Sequence, residues 1–202
     1  MRYLQIALGS CVLACLAACS TPSVVAPQSD VTRALFTADG PPKITLFTVQ
    51  ATRDGSGAHS ALMVSGTHRA LFDPAGTFRH PRAPERNDVL YGITDDVKAV
   101  YIDYHARQTY DIRIQELEVS PAVAALALAE IESYGPVPQA FCGRSVSTIL
   151  SRLPGFEDIR TSFFPNRISR EFGNRSGVAT RVVTDDDADD NHGVLIVAAG
   201  AP

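Results

Sequence analysis

The placement of its cysteines constrains this chain more than any other feature. They stand at positions 11, 15, 19 and 142, and the first three fall in a short apolar N-terminal leader, so Cys142 has no disulfide partner in the body of the chain. Whatever the body folds into must hold by burial of apolar surface, without cross-links. The material suffices for that. Removing residues 1–18 leaves 184 of 202 residues, and 45% hydrophobic with 20% charged content is ordinary for one globular domain.

The leader itself is legible. Arg2 is followed by an apolar run from Leu4 to Ala18, too short for a comfortable bilayer span, with small residues ahead of Cys19. Leu16-Ala17-Ala18-Cys19 resembles the lipobox of bacterial lipoproteins, which implies a signal peptide over 1–18 and a lipidated (palmitate-bearing) Cys19 as first residue of the mature chain. By resemblance to known sorting patterns, the absence of Asp at position 20 points to the periplasmic face of the outer membrane of a Gram-negative host. The cut leaves Lys+Arg 17 against Asp+Glu 22, a net charge of −5. With no basic run or aromatic-basic stripe, nucleic acid is not an expected partner. No later apolar run reaches the roughly 18–20 residues of a transmembrane helix, so membrane contact is expected through the anchor.

Residues 19–42, with Thr21-Pro22, Ala26-Pro27 and Gly40-Pro41-Pro42, read as a tether, and a single domain is expected over 43–202. Ile44-Thr45-Leu46-Phe47-Thr48-Val49 has strand chemistry, and Arg53-Asp54-Gly55-Ser56-Gly57 is a loop. Residues 59–64 and 69–73 form a hairpin pattern around Ser65-Gly66-Thr67-His68. Residues 77–88, rich in Pro, Arg and His, read as a long surface loop. Strands are expected over 98–104 and 110–119. A helix follows over 122–133, with Ser120 as N-cap and Pro121 in the first turn, ended by Gly135-Pro136. A second helix runs from Cys142 to about Leu153. Residues 156–192 look irregular apart from a short helix reaching Phe172, and 193–198 reads as a final buried strand. The order predicts an α+β class: an antiparallel sheet packed with a few helices.

An unpaired thiol in an oxidising compartment needs a reason. A small buried hydrophobe is one. The setting of Cys142 supplies another: Tyr134-Gly135-Pro136-Val137-Pro138 is a stiff loop, and Cys142-Gly143-Arg144-Ser145 opens the apolar-periodic stretch Val146, Ile149, Leu150, Leu153. The thiol therefore stands at a helix N-terminus, where free N–H groups and the helix dipole favour a thiolate.

A nucleophilic thiol needs a base in hydrogen-bond reach, and the base needs a polar group to orient it. His59, opening a strand after the glycine loop, is the best placed of five histidines. A three-residue loop at 65–67 pairs Val64 with His68 and, counting outward, His59 with Asp73, on one face with Cβ atoms about 5 Å apart. Asp73 is accordingly the expected orienting residue, although Asp73-Pro74 also fits a simple turn. His68, His80, His105 and His192 look solvated. A zinc site from His59, His68, Asp73 and His80 can be drawn, but its spacings match no tight ligand pair. The acidic run 185–190 lacks the grammar of a calcium loop. No glycine-rich stretch links a strand to a helix as nucleotide binding requires. No metal or organic cofactor is expected.

His59-Ser60-Ala61-Leu62-Met63-Val64, then Ala70-Leu71-Phe72-Asp73-Pro74, and far downstream Phe141-Cys142-Gly143-Arg144-Ser145-Val146, resembles the circularly permuted branch of the NlpC-type papain-like superfamily. That branch places its histidine strand before its cysteine helix, and it includes cell-wall amidases and peptidases and the lecithin retinol acyltransferase-like enzymes. The resemblance, over roughly 43–153, implies a papain-like α+β fold, Cys142 as nucleophile, His59 as base and a polar third residue on the next strand. Phe141 stands where the family often has a polar residue such as Asn, and Asp73 where His, Asn or Gln is common. The expected activity is a thiol hydrolase or acyl-transfer enzyme, first on peptide amides of peptidoglycan and second on a lipid or lipoprotein acyl group. A lipoprotein using the fold only to bind an envelope component is the rival.

Overall fold

The computed structural model describes residues 24–191 with 194 and 195. Its centre is strand β1 (Lys43–Ala51), in which every residue from Ile44 to Val49 is buried. Burial on both faces means that something covers each side of the sheet. β1 pairs antiparallel with β2 (Gly57–Ser65) on one edge and β6 (Tyr110–Glu118) on the other. β3 (Arg69–Phe72), β5 (Val89–Tyr91) and the two-residue β4 (Glu85–Arg86) extend the sheet beyond β2, and β7 (Ala179–Val183) closes the far edge. The seven strands run in the order β4-β5-β3-β2-β1-β6-β7, all antiparallel. With the five helices named among the described residues the fold is α+β, as the sequence predicts.

Strand periodicity divides the core in two. Ile44, Leu46, Leu62, Val64 and Phe72 face α3 (Pro121–Ser133), α4 (Cys142–Leu150) and α5 (Pro165–Gly173), meeting Ala127, Ile131, Val146, Ile149 and Phe172. Phe47, Val49, Ala61, Met63 and Leu71 face the opposite way, onto Val97, Tyr101 and Tyr104 of α2 (Asp95–His105). Each fully buried Leu, Ile or Phe in these layers contributes roughly 1.5–3 kcal/mol. Among the described residues no helix is long and apolar enough to cross a membrane.

Several expectations change. Residues 98–104 form most of helix α2 instead of a strand. Thr94 Oγ1 accepts the Val97 N–H, Asp95 and Asp96 occupy the first turn, and Val97, Tyr101 and Tyr104 are buried at helical spacing. Caps and a 3.6-residue period outweigh the β propensity of Val, Tyr and Ile. The tether is partly packed: helix α1 (Gln28–Ala34) buries Val31 against the core, and Ala26 N–H bonds Glu85 O. The 77–88 loop carries β4 and buries Phe78, Ala83 and Glu85. It closes through a β4–β5 turn with Asn87 at φ 50° and Asp88 at φ 65°, the paired left-handed residues of a tight hairpin. β7 lies in the stretch read as irregular. Of the expected strand 193–198, Val194 and Leu195 are described and are helical, and the other four positions lie outside the described residues, as do the leader, Cys19 and His192.

Candidate active site

The hairpin register sets the site's geometry. β2 and β3 pair Val64 with Ala70 and Leu62 with Phe72, two residues away from the predicted alignment. A shift of two preserves side-chain parity, so Asp73 still projects to the His59 face, as a diagonal neighbour instead of a directly opposed one. His59 Nε2 lies 2.7 Å from Asp73 Oδ1. The two side chains thus meet across a register two residues from the expected one.

β3 covers only Leu62–Ser65 of β2, leaving the first part of β2 without a strand on that side. Groups from both faces of the sheet converge on this opening. Cys142 arrives from α4 on one face, where the His59 ring and the Ser60 and Gly143 backbone N–H groups act on its sulfur to lower its pKa. Asp73 Oδ1 bonds His59 Nε2, so Nδ1 is the ring atom left for the thiol. From the other face Tyr101 Oη donates to Asp73 Oδ1 at 2.9 Å. His105 stacks on His59 with ring centroids 5.9 Å apart and planes within 5°, and it bonds the Tyr101 carbonyl through Nδ1 at 2.9 Å.

These contacts set the direction in which each group's acidity moves. Burial alone would push the Cys142 thiol up, but the His59 hydrogen bond and charge and the two N–H donors outweigh it and hold the pKa below the ordinary thiol value. Burial alone would lower His59; hydrogen bonds to Asp73 and Cys142 raise it to about 10. Burial would raise Asp73, but the bond and charge of His59, with help from Tyr101, hold it low. Burial depresses His105 to about 4, so its ring is neutral at pH 7. Both shifts run toward the ion pair of a thiolate and an imidazolium, with the carboxylate orienting the ring.

Two glycines make the approach possible. A Cβ on Gly143 would sit 2.9 Å from Phe163 O and 3.1 Å from Ser162 O, backbone atoms packed on the first turn of α4. Ser147 fixes that segment: its Oγ accepts the Ser162 N–H at 2.9 Å and donates to Gly143 O at 2.8 Å. A Cβ on Gly76 would sit 1.9 Å from Asp73 Oδ2. Asp88 also ties the parts together, its Oδ2 accepting the Val137 N–H at 2.8 Å, before the cysteine helix, and the Ala75 N–H at 3.3 Å, after Asp73.

A cavity of 190 Å³ opens on His59, lined also by Ala58, Gly76, Thr77, Tyr104 and His105. A second, of 380 Å³, runs along Phe141, Arg144, Ser145 and Thr148. α4 has no side-chain cap, so no N-cap side chain takes the N–H groups of its first turn.

Of the histidines expected to be solvated, His68 bonds Glu132 at 2.9 Å, His80 is buried in the 77–88 loop, and His105 belongs to the site. Sequence reasoning missed Tyr101 and His105 because Tyr101 lies in the stretch read as a strand and His105 directly after it. The signal was present in the spacing of Val97, Tyr101 and Tyr104 behind Thr94-Asp95-Asp96. Part of the acidic run is also engaged: Asp185 and Asp187 approach the buried guanidinium of Arg107 at 3.8 and 3.5 Å.

Searches against family models, curated proteins and solved structures find no match to this chain. The functional reading rests on the residues.

Proposed function

We propose that this protein is an envelope-anchored thiol hydrolase or acyl-transfer enzyme with Cys142 as nucleophile, His59 as base and Asp73 as orienting residue. One observation carries the reading: the thiol at the first residue of a helix and the His59 ring each shift the other's pKa, and His59 Nε2 stands 2.7 Å from Asp73 Oδ1. The resemblance to the circularly permuted NlpC-type papain-like branch supports it, and the lipobox-like leader supports a lipid anchor at Cys19 on the outer membrane.

The chemistry follows from the geometry. The Cys142 thiolate attacks an amide or ester carbonyl, and the oxyanion is held by N–H groups at the start of α4. As the carbonyl re-forms, His59 Nδ1–H gives its proton to the leaving amine or alcohol, leaving a thioester on Cys142. Water or an acceptor hydroxyl then attacks the thioester while His59 takes up its proton, and the thiolate leaves. Asp73 keeps the ring in the correct tautomer and stabilises its charge. Peptide amides of peptidoglycan are the first substrate class for the proposed location, and lipid or lipoprotein acyl groups the second.

The test incubates the protein with peptidoglycan fragments and with acyl esters, following products and the mass of Cys142 peptides. Cleavage with a trapped acyl adduct at Cys142, lost in Cys142→Ser and in His59→Ala, is the expected result. Absence of turnover and adduct across both classes would overturn the enzyme reading in favour of a binding lipoprotein.

A further inference from the structure

We propose that His59, Asp73 and His105 form a site for a divalent transition-metal ion of zinc's class, and that filling it shuts off the thiol beside it. One ligand atom from each of the three lies within 4.8 Å of the other two. His105 commits Nδ1 to the Tyr101 carbonyl, which leaves Nε2 with a bare lone pair. Asp73 uses Oδ1 for His59 and Tyr101, while its Oδ2 is buried with no hydrogen-bond partner. A buried carboxylate oxygen without a donor is costly unless a cation answers it. The 190 Å³ cavity lined by His59, Gly76 and His105 gives an ion a way in.

The donor set fits. Two imidazoles and a carboxylate suit zinc, at about 2.0–2.2 Å per bond, which places tetrahedral donors about 3.3 Å apart and leaves a fourth position open. The three donor atoms all lie within 4.8 Å of one another, so the widest separation has to close by at most about 1.5 Å to reach that spacing. The tyrosine bond to Asp73 and the backbone bond to His105 are the outer contacts that hold such ligands in orientation.

The consequence for the thiol rests on the function proposed above. Metal on His59 Nε2 replaces the proton shared with Asp73, and binding to the imidazolium releases one proton to solvent. The ring's remaining proton then sits on Nδ1, facing Cys142. The ion brings two positive charges to the ring where the proton brought one, which binds the thiolate more tightly and lowers its nucleophilicity.

The test titrates ZnCl2 into the chelator-treated full chain by calorimetry, with iodoacetamide alkylation of Cys142 followed in parallel with and without metal. His105→Asn is the decisive variant, because its amide N–H stands where Nδ1 does and keeps the Tyr101 bond while the Nε2 donor is lost. One zinc per chain, at least tenfold weaker binding in His105→Asn, and alkylation slowed by zinc and restored by chelator are expected. No saturable binding, or equal affinity in His105→Asn, overturns the proposal. So does zinc affinity that depends on Cys142 alone, read with Cys142→Ser. Calorimetry needs no catalysis and chelated alkylation needs no metal, so the metal site and the thiol enzyme can each fail without the other.

Discussion

Replacing Gly76 by Ala tests the role of Asp73 without touching its side chain. The added Cβ would lie 1.9 Å from Oδ2, 2.3 Å from Cγ and 2.7 Å from Oδ1 of Asp73. An ordinary carbon–oxygen contact is about 3.2 Å or longer, so the carboxylate has to retreat by about 1.3 Å. Its bond to His59 then stretches from 2.7 Å towards about 4 Å, past the limit of a hydrogen bond. Gly76 has no left-handed φ, so alanine brings no backbone strain of its own, and the displaced carboxylate is the main effect. A misplacement of about 1 Å in an orienting group costs on the order of 100-fold in rate. Losing a charge-assisted bond of about 1.5–3 kcal/mol also lowers the His59 pKa by about 1–2 units. The assay is the pH profile of Cys142 alkylation, whose upper limb, set by the His59 proton near pH 10, should move down by that amount. A Gly76→Ala protein that folds, carries the displaced carboxylate and keeps an unchanged upper limb would refute the claim that Asp73 holds the imidazole.

Three further outcomes are expected. Tyr101→Phe keeps the buried ring but removes the donor to Asp73 Oδ1, so urea unfolding should show a loss of about 1.5–3 kcal/mol; a change under 0.5 kcal/mol contradicts the bond's role. Glu85 is buried, and burial raises its pKa from 4.5 to about 7 despite Arg79 at 2.9 Å. An acid whose pKa is higher in the folded state destabilises the fold as pH rises from the unfolded value, about 4.5, through about 7. Glu85→Gln should therefore raise Tm at pH 8, by the equivalent of at most about 3 kcal/mol, and change little at pH 4; equal effects at both pH values would contradict the cause. Arg107→Gln leaves Asp103, Asp185 and Asp187 without their shared cation and should cost about 1–2 kcal/mol, discounted because the acids are partly exposed; hydrogen exchange over 185–187 should quicken, and unchanged protection there would refute the anchoring.

What could be read in advance divides along physical lines. β1, β2, β6, α3 and the start of α4 were legible because each carries local signals: β-branched alternation, the Ser120-Pro121 cap, the Pro-rich stop before Cys142. The Cys142–His59–Asp73 grouping was legible because the chemistry of a lone thiol limits its partners, and strand parity tolerates an error of two residues in register. α2 was not, because Val97-Lys98-Ala99-Val100-Tyr101-Ile102 has strand-like composition and only caps and spacing betray the helix. Tyr101 and His105 were lost with it. The packing of α1 and of the 77–88 loop depends on contacts between distant segments, such as Ala26 with Glu85, that no local pattern announces.

The central claim is that Cys142 and His59 form a reactive pair. Its most direct measurement is the pH dependence of iodoacetamide alkylation at Cys142, in the wild-type protein and in His59→Ala. The account predicts an apparent thiol pKa well below the ~8.5 of a free cysteine, rising when His59 is removed. A thiol that is unreactive or titrates normally, and that is indifferent to His59, would contradict it and leave a buried structural cysteine in its place.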